Sequence, residues 1–517
     1  ASAPLAATAL APTAAAVIAA AAIAAATAAA IAAAALALAA TASYGSDVAS
    51  LTDALANTSV GRIVLAPGTY YLSAELSITR SVILEAAVVG SVILNAQASY
   101  SIQRRVLNIN PGSSGVVQLI GLNLTGGYFA TWDASFYPSY IRLNGDPSGG
   151  GGGGGGVLIQ GGTTTFTNVN IYSNQAGHQG GGGVLIQGGT TRFTNVNVNN
   201  NRADEGTGGG GVRITSGNVQ FMQSNIHFNG PKNYYCCGEW HQGGGILIHG
   251  GTVQFTLTNI YSNSAGWNYD GGGVSIRGGT TTFTNVNIRN NGAGNGRGGG
   301  VSISSGTVTF TETNIYSNSC SSNGGGVLVS GGYVTCSSCT IFSNAASNAG
   351  GGVGLEGGTT TFINVTISNN QAGNGDVRFP RQGGGVFISG SSTVAAFVSS
   401  GIHSNKLRVG AGQMSMSQEV ALLIRNEPHR PLRNSLNLLG TPSFATAALA
   451  AATIPASALA ASALPLASAI SSSTSILAAT TFPPAARTIT ASTTLAATAT
   501  TAIARSEPAA AALAFPA

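Results

Sequence analysis

One phrase is written nine times between residues 151 and 405, and it constrains the fold more than anything else in the chain. Its first clear copy, GGGVLIQGGTTTFTNVNIYSN, ends at Asn174. The aromatic of the phrase recurs as Phe166, Phe193, Phe221, Phe255, Phe283, Phe310, Cys336, Phe362 and Phe397, at spacings of 27, 28, 34, 28, 27, 26, 26 and 35 residues. A period in this range marks supersecondary units that stack on one another. Within a copy the inward candidates alternate: Val157 and Ile159, then Thr164 and Phe166, then Val169 and Ile171, in runs divided by Gly or Asn. Alternation of two predicts strands. Three strands of about five residues and their corners consume one period, so each copy makes one full coil, about 4.8 Å above the last. The expected fold is all-β, a parallel β-helix with three short strands per coil.

The columns of the repeat agree. Eight residues after the aromatic every copy has Asn: Asn174, Asn201, Asn229, Asn263, Asn291, Asn318, Asn344, Asn370 and Asn405. Asn tolerates left-handed backbone at a corner, and stacked Asn amides can bond along a column. Five residues after the aromatic stands Ile, or Val198 in one copy, a β-branched stack suited to the inside of a coil.

Outside the repeat the chain divides by composition. Residues 1–43 are Ala-rich and uncharged, long enough to be a leader or a signal anchor, or low-complexity sequence without a role. Residues 44–150 open with SDVASLTDALAN, a short capping helix with Ser46 or Asp47 as N-cap and Val48, Leu51 and Leu55 on one face. The short alternating strands GRIVLAPGTYYLS, LSITRSVILEA, SVILNA, RVLNI and VVQLIGLNLTGG follow. After Asn405, residues 406–440 are expected to cap the open end of the stack, whose last coil would otherwise expose its strand edge. Residues 441–517 are an Ala/Thr/Ser/Pro-rich tail expected to be disordered.

A helix over the first coil followed by IVLAPGTYYL and VQLIGLNLTGG resembles the opening of the pectate-lyase-like right-handed β-helix superfamily. The later GGGV…F…SN phrases are similar to the repeats of chlamydial polymorphic membrane proteins. The resemblance covers roughly residues 46–405 and implies a right-handed coil. That superfamily includes lyases, hydrolases, adhesins and inert surface proteins, so the resemblance implies fold more than activity.

Charge excludes one class of partner. Only 7% of residues are charged, and the 21 basic residues behind the net +5 form no run, so nucleic acid is not expected. The Gly runs open strands, not helices, and hold no phosphate, so no nucleotide cofactor is expected. Cys336 and Cys339 fall in inward columns and read as core residues or one local disulfide, whereas Cys236 and Cys237 sit in a loop. Sequons stand at Asn57, Asn123 and Asn364.

Residues that alternate with the inward ones define outward faces. The first strand shows Leu158, Leu185, Arg213, Leu247, Ser275, Ser302, Leu328, Gly354 and Phe387, a covered contact face or scattered exposed apolar groups. The second strand shows columns that begin at Thr163, Thr165 and Thr167; 16 of their first 24 positions are Thr, which resembles the ice-binding faces of Thr-rich β-helical antifreeze proteins. The third strand pairs Asn170, Asn197, Asn225, Asn259, Asn287 and Asn314 with Tyr172, Asn199, His227, Tyr261, Arg289, Tyr316 and Phe342. Rings and amides together suit sugar or a protein surface; they also suit plain ladder packing.

Loops carry the remaining candidates. Asp204, Glu205, Glu239 and Asp270 fall in three successive loops on one edge, with His241, Tyr234, Tyr235, Trp240, Trp267 and Tyr269 around them. Such a cluster could hold Ca²⁺, or act as general acid and base on a glycosidic bond while the rings stack on sugar. Arg378, Phe379, Pro380 and Arg381 resemble the Arg-x-Pro element of pectate lyases, four loops beyond Asp270. The leading expectation is a secreted or cell-surface recognition and adhesion rod that binds a polysaccharide or a glycoprotein surface and meets a membrane only through an N-terminal anchor. A polysaccharide lyase or glycoside hydrolase is the alternative, and ice binding the third reading.

Overall fold

The computed structural model describes residues 40–44, 48–129, 153–177, 180–203, 208–231, 243–266, 269–373, 383–390, 392–409 and 412–425. The expected N-cap of the helix, the Ala-rich segment up to residue 39 and the tail from 441 lie outside the described residues. Among the described residues no helix is long and apolar enough to cross a membrane.

The repeat folds as a parallel β-helix. In its first coil the strands are Val157–Ile159, Thr163–Thr167 and Asn170–Tyr172, and a two-residue strand, Gln175–Ala176, closes the turn. First strands pair only with first strands, from Leu76–Ile78 to Val386–Ile388, in an 11-stranded parallel sheet. Second and third strands stack in the same register, so Phe166 lies against Phe193, Phe193 against Phe221 and Phe221 against Phe255. The loop lengths that vary between copies, 26 to 35 residues apart in sequence, leave this register untouched.

Every coil therefore buries the same side chain on top of its equal. The Phe rings stack with centroids 4.5 to 5.0 Å apart and planes within 15° of parallel. This is the coil spacing, and the column is the largest apolar mass of the core. Cys336 interrupts it between Phe310 and Phe362. Both Cys336 and Cys339 are buried free thiols, so of the two expectations the core reading holds and the local disulfide does not form.

The Asn column holds the corner. Asn174 Nδ2 donates to Asn201 Oδ1 at 3.1 Å and to the Leu124 carbonyl at 3.1 Å, while Asn201 Oδ1 also accepts from the Asn174 backbone N–H at 3.0 Å. The pattern repeats through Asn229, Asn263, Asn291, Asn318, Asn344 and Asn370 to Asn405. The third Gly of each run lies directly against this column. A Cβ on Gly273 would stand 3.0 Å from the Asn291 amide and 2.7 Å from the Gly300 carbonyl, which is why no side chain is written there.

The left-handed backbone is not at the ladder Asn, as the sequence reading had it, but one residue earlier. Ser173, Asn200, Phe228, Ser262, Asn290, Ser317, Ser343, Asn369 and Ser404 all have φ near +54°. The physical reason is directional. The ladder side chain must point inward to reach its neighbour's amide, and the residue before it makes the bend that turns the chain. A second left-handed corner joins the second and third strands at Asn168, Asn195, Gln223, Leu257, Asn285, Glu312, Ser338, Asn364 and Ser399.

At the N-terminal end the strand Ala40–Tyr44 pairs in parallel with Val60–Leu65, and the helix Val48–Ala56 buries Leu51, Ala54 and Leu55. Arg80 fixes the end of that helix. Its guanidinium donates to the carbonyls of Ala54 and Leu55 at 2.8 Å and of Val60 at 2.6 Å, filling acceptors that a helix C-terminus leaves open. At the other end Gly412–Arg425 pairs antiparallel along Val394–Val409, the strand of the last coil. The rest of the expected cap, 426–440, lies outside the described residues.

One inward column is imperfect. Thr164, Thr191, Thr281 and Thr360 are buried with hydroxyls that find no hydrogen-bond partner, where other coils place Val219, Val253, Val308 and Val334. A buried hydroxyl without a partner costs about 1–3 kcal/mol. Thr281→Val and Thr360→Val are therefore each expected to raise stability by about 1 kcal/mol, read as a higher denaturant midpoint of the full chain; a lower midpoint would show that the hydroxyls are satisfied.

Candidate functional site

The outward faces are unequal. The first-strand row is closed: Leu158, Leu185, Leu247, Ser275, Ser302 and Leu328 are all buried, which agrees with a covered face and not with scattered exposed Leu. The second-strand face is half-exposed, and its central column, Thr282, Thr309, Thr335 and Thr361, runs unbroken in register across four coils.

The third-strand wall carries a second amide ladder. Asn170 Nδ2 donates to Asn123 Oδ1 at 2.7 Å, Asn197 to Asn170 at 2.8 Å, Asn225 to Asn197 and Asn259 to Asn225 at 2.9 Å, and Asn287 and Asn314 continue at 3.0 Å. Thr340 closes the ladder with its hydroxyl on Asn314. Donors here point toward the N-terminal end, whereas those of the buried ladder point the other way. Each amide of Asn170 to Asn287 spends one N–H and one lone pair on its neighbours in the ladder and has one of each outside it. Asn123 is buried and donates to the carbonyls of Gly90 and Val92, so its sequon is closed, while Asn57 and Asn364 are exposed.

The rings beside this ladder pack face to face. His227 stacks on Tyr261 at 4.6 Å, the Arg289 guanidinium lies over Tyr261 at 4.5 Å, and Tyr316 stacks on Phe342 at 4.8 Å. Tyr261 thus has both faces taken and turns an edge and its hydroxyl outward. Tyr172 stands between Thr125 and Asn199 in the same column.

Of the loop cluster, Asp204, Glu205, Tyr234, Tyr235, Glu239, Trp240, His241 and Trp267 lie outside the described residues, as do Arg378, Phe379, Pro380 and Arg381. Asp270 and Tyr269 are described and half-buried. Asp270 accepts from the Arg297 backbone N–H at 2.8 Å and from its guanidinium at 3.0 Å. The same guanidinium reaches Glu356 at 2.8 Å, and Asn323 donates to the other Glu356 oxygen at 2.7 Å. Burial lowers the Arg297 pKa, but the Asp270 and Glu356 carboxylates outweigh it and hold it above the usual value. As placed, Asp270 is one end of an ionic clamp over several coils. Among the described residues no three His, Cys, Asp or Glu side chains gather as a metal site.

The clamp was legible in principle and was missed. Asp270, Arg297 and Asn323 stand at the same place before successive Gly runs, 27 and 26 residues apart, so counting that column would have aligned them. The column after the first strand places His249 beside Arg277, with Arg213 one coil below. Burial, reinforced by Arg277, pushes Arg213 down to about 10. Burial, with Arg213 and then Arg277 beside it, pushes His249 down to about 4.

That shift sets a pH dependence. Between about pH 6.5 and 4 the unfolded chain takes up a proton on His249 that the folded chain refuses, so stability is lost as pH falls through this window. His249→Gln, the residue this column holds as Gln160 and Gln187, is expected to flatten the midpoint-against-pH curve there. Part of the slope remains because burial lowers His227 as well. An unchanged slope would place His249 in contact with solvent.

Comparison with family models, with curated proteins and with solved structures finds no match to this chain.

Proposed function

We propose that this is a secreted or cell-surface member of the pectate-lyase-like β-helix superfamily that works as a recognition rod, binding an extended polysaccharide along its third-strand wall. The supporting observation is the half-exposed amide ladder, which offers a donor and an acceptor once per coil from Asn170 to Asn287. A ligand whose hydroxyl groups also recur can meet many such weak pairs at once, and linked weak contacts add by avidity. Of the candidate carboxylates Asp270 is the one described, and it is spent on Arg297.

The test is retention of the full chain on immobilised polysaccharides, neutral and acidic, with and without Ca²⁺, while released reducing and unsaturated ends are assayed. Retention without product is expected, and Asn225→Thr with Asn259→Thr should weaken it at least about fivefold, the loss of roughly 1 kcal/mol. Steady release of product would move the protein to the lyase or hydrolase reading.

The unbroken Thr column favours a second reading, ice binding, because its hydroxyls and methyls repeat at strand spacing on a half-exposed face. On that reading the protein facets growing ice crystals, and Thr282→Tyr with Thr309→Tyr abolishes the faceting while the fold persists. Unshaped crystals with the parent chain would end it.

A further inference from the structure

Two corners of adjacent coils carry a bulky apolar side chain where every other corner of the repeat carries a polar one. Left-handed backbone suits Asn, Ser and Gly, and a bulky side chain there costs about 1–2 kcal/mol. Where other coils place Ser173, Asn200, Ser262 or Asn290, the chain has Phe228 at φ +53°; where others place Asn168, Asn195, Asn285 or Asn364, it has Leu257 at φ +51°. Both side chains are spread into solvent, 56% and 53% exposed, on neighbouring coils at the two margins of the third-strand wall. Core packing does not explain them. Strain and exposure together in the same residue point to a contact surface.

The orientation of Phe228 narrows what that surface meets. Its ring lies 74° from the plane of His227, with centroids 5.2 Å apart, and 72° from Tyr261, at 6.1 Å. His227 and Arg289 already occupy the two faces of Tyr261, so Tyr261 can only turn its edge to Phe228. Phe228 therefore lays one face across the edges of the stack and turns the opposite face outward. It is a flat apolar plate on the same wall as the amides of Asn225 and Asn259, each of which keeps an N–H and a lone pair outside the ladder.

A plate flanked by paired donors and acceptors fits a ring that is apolar on its face and polar at its rim. We infer that Phe228 is the stacking platform for one pyranose of an equatorially linked polysaccharide, whose ring lies flat on Phe228 while the sugars that follow it meet the amides of Asn225 and Asn259 along the wall. The inference rests on the recognition reading and fixes where on the wall the ligand is held most tightly.

The experiment uses the full chain with cellulose, xylan and polygalacturonate as immobilised probes, and compares the parent with Phe228→Ser and Leu257→Asn. These substitutions restore the residues that other coils carry at the same corners, so both variants should melt no lower than the parent. Retention of the parent on cellulose or xylan, weakened on the order of tenfold by Phe228→Ser at an unchanged or higher Tm, is the expected result. Equal retention by parent and variant overturns the platform and leaves the recognition rod standing, whereas no retention of the parent on any probe overturns both. Retention on polygalacturonate alone rejects the equatorially linked ligand. Self-association of the parent that Phe228→Ser abolishes, with sugar retention unchanged, reassigns the patch to a second copy of the chain.

Discussion

The buried Asn column is the interaction on which the rest of the fold depends. A solenoid corner takes backbone groups away from both solvent and the sheet ladders, and an unpartnered buried amide is costly. Each ladder Asn answers this with one side chain, bonding a carbonyl of the coil below and the backbone N–H and amide of its neighbours. The same bonds fix register. A slip of one residue would reverse every inward and outward side chain, and it would also leave the whole amide column without partners.

Fixed register explains why like sits on like in every column, and why the faces behave so differently. Inside, identical Phe rings stack at the coil spacing without needing complementary shapes. Outside, the same repetition turns single residues into lines: a line of hydroxyls on the second strands, a line of amides on the third. On the proposed reading, recognition by such a surface is distributed along the coils. Departures from a column stand out for the same reason, since Phe228 and Leu257 occupy strained corners that the coil could fill at lower cost with Asn or Ser.

The ionic clamp of Asp270, Arg297 and Glu356 shows the limit of reading chemistry from residue types. Two carboxylates near an Arg can serve catalysis, but here a single guanidinium spans both and ties coils together along the axis. A half-exposed ion pair of this kind adds little to stability. His249 beside Arg277 and Arg213 belongs to the same wall and makes it sensitive to acid.

The sequence by itself determined the period, the strands, the inward columns and the identity of the ladder, because each is a property of spacing that survives stacking unchanged. Phe166 to Phe397 and Asn174 to Asn405 were legible for that reason. What only the tertiary structure decided are relations between coils and the direction of each side chain. These include which residue bends at the corner, that the Leu row of the first strands is covered, that the rings beside the half-exposed ladder close on one another, and that Arg297 reaches two carboxylates on different coils. None of these follows from spacing, since they depend on where a side chain points once its neighbours 26 to 35 residues away have been brought within contact.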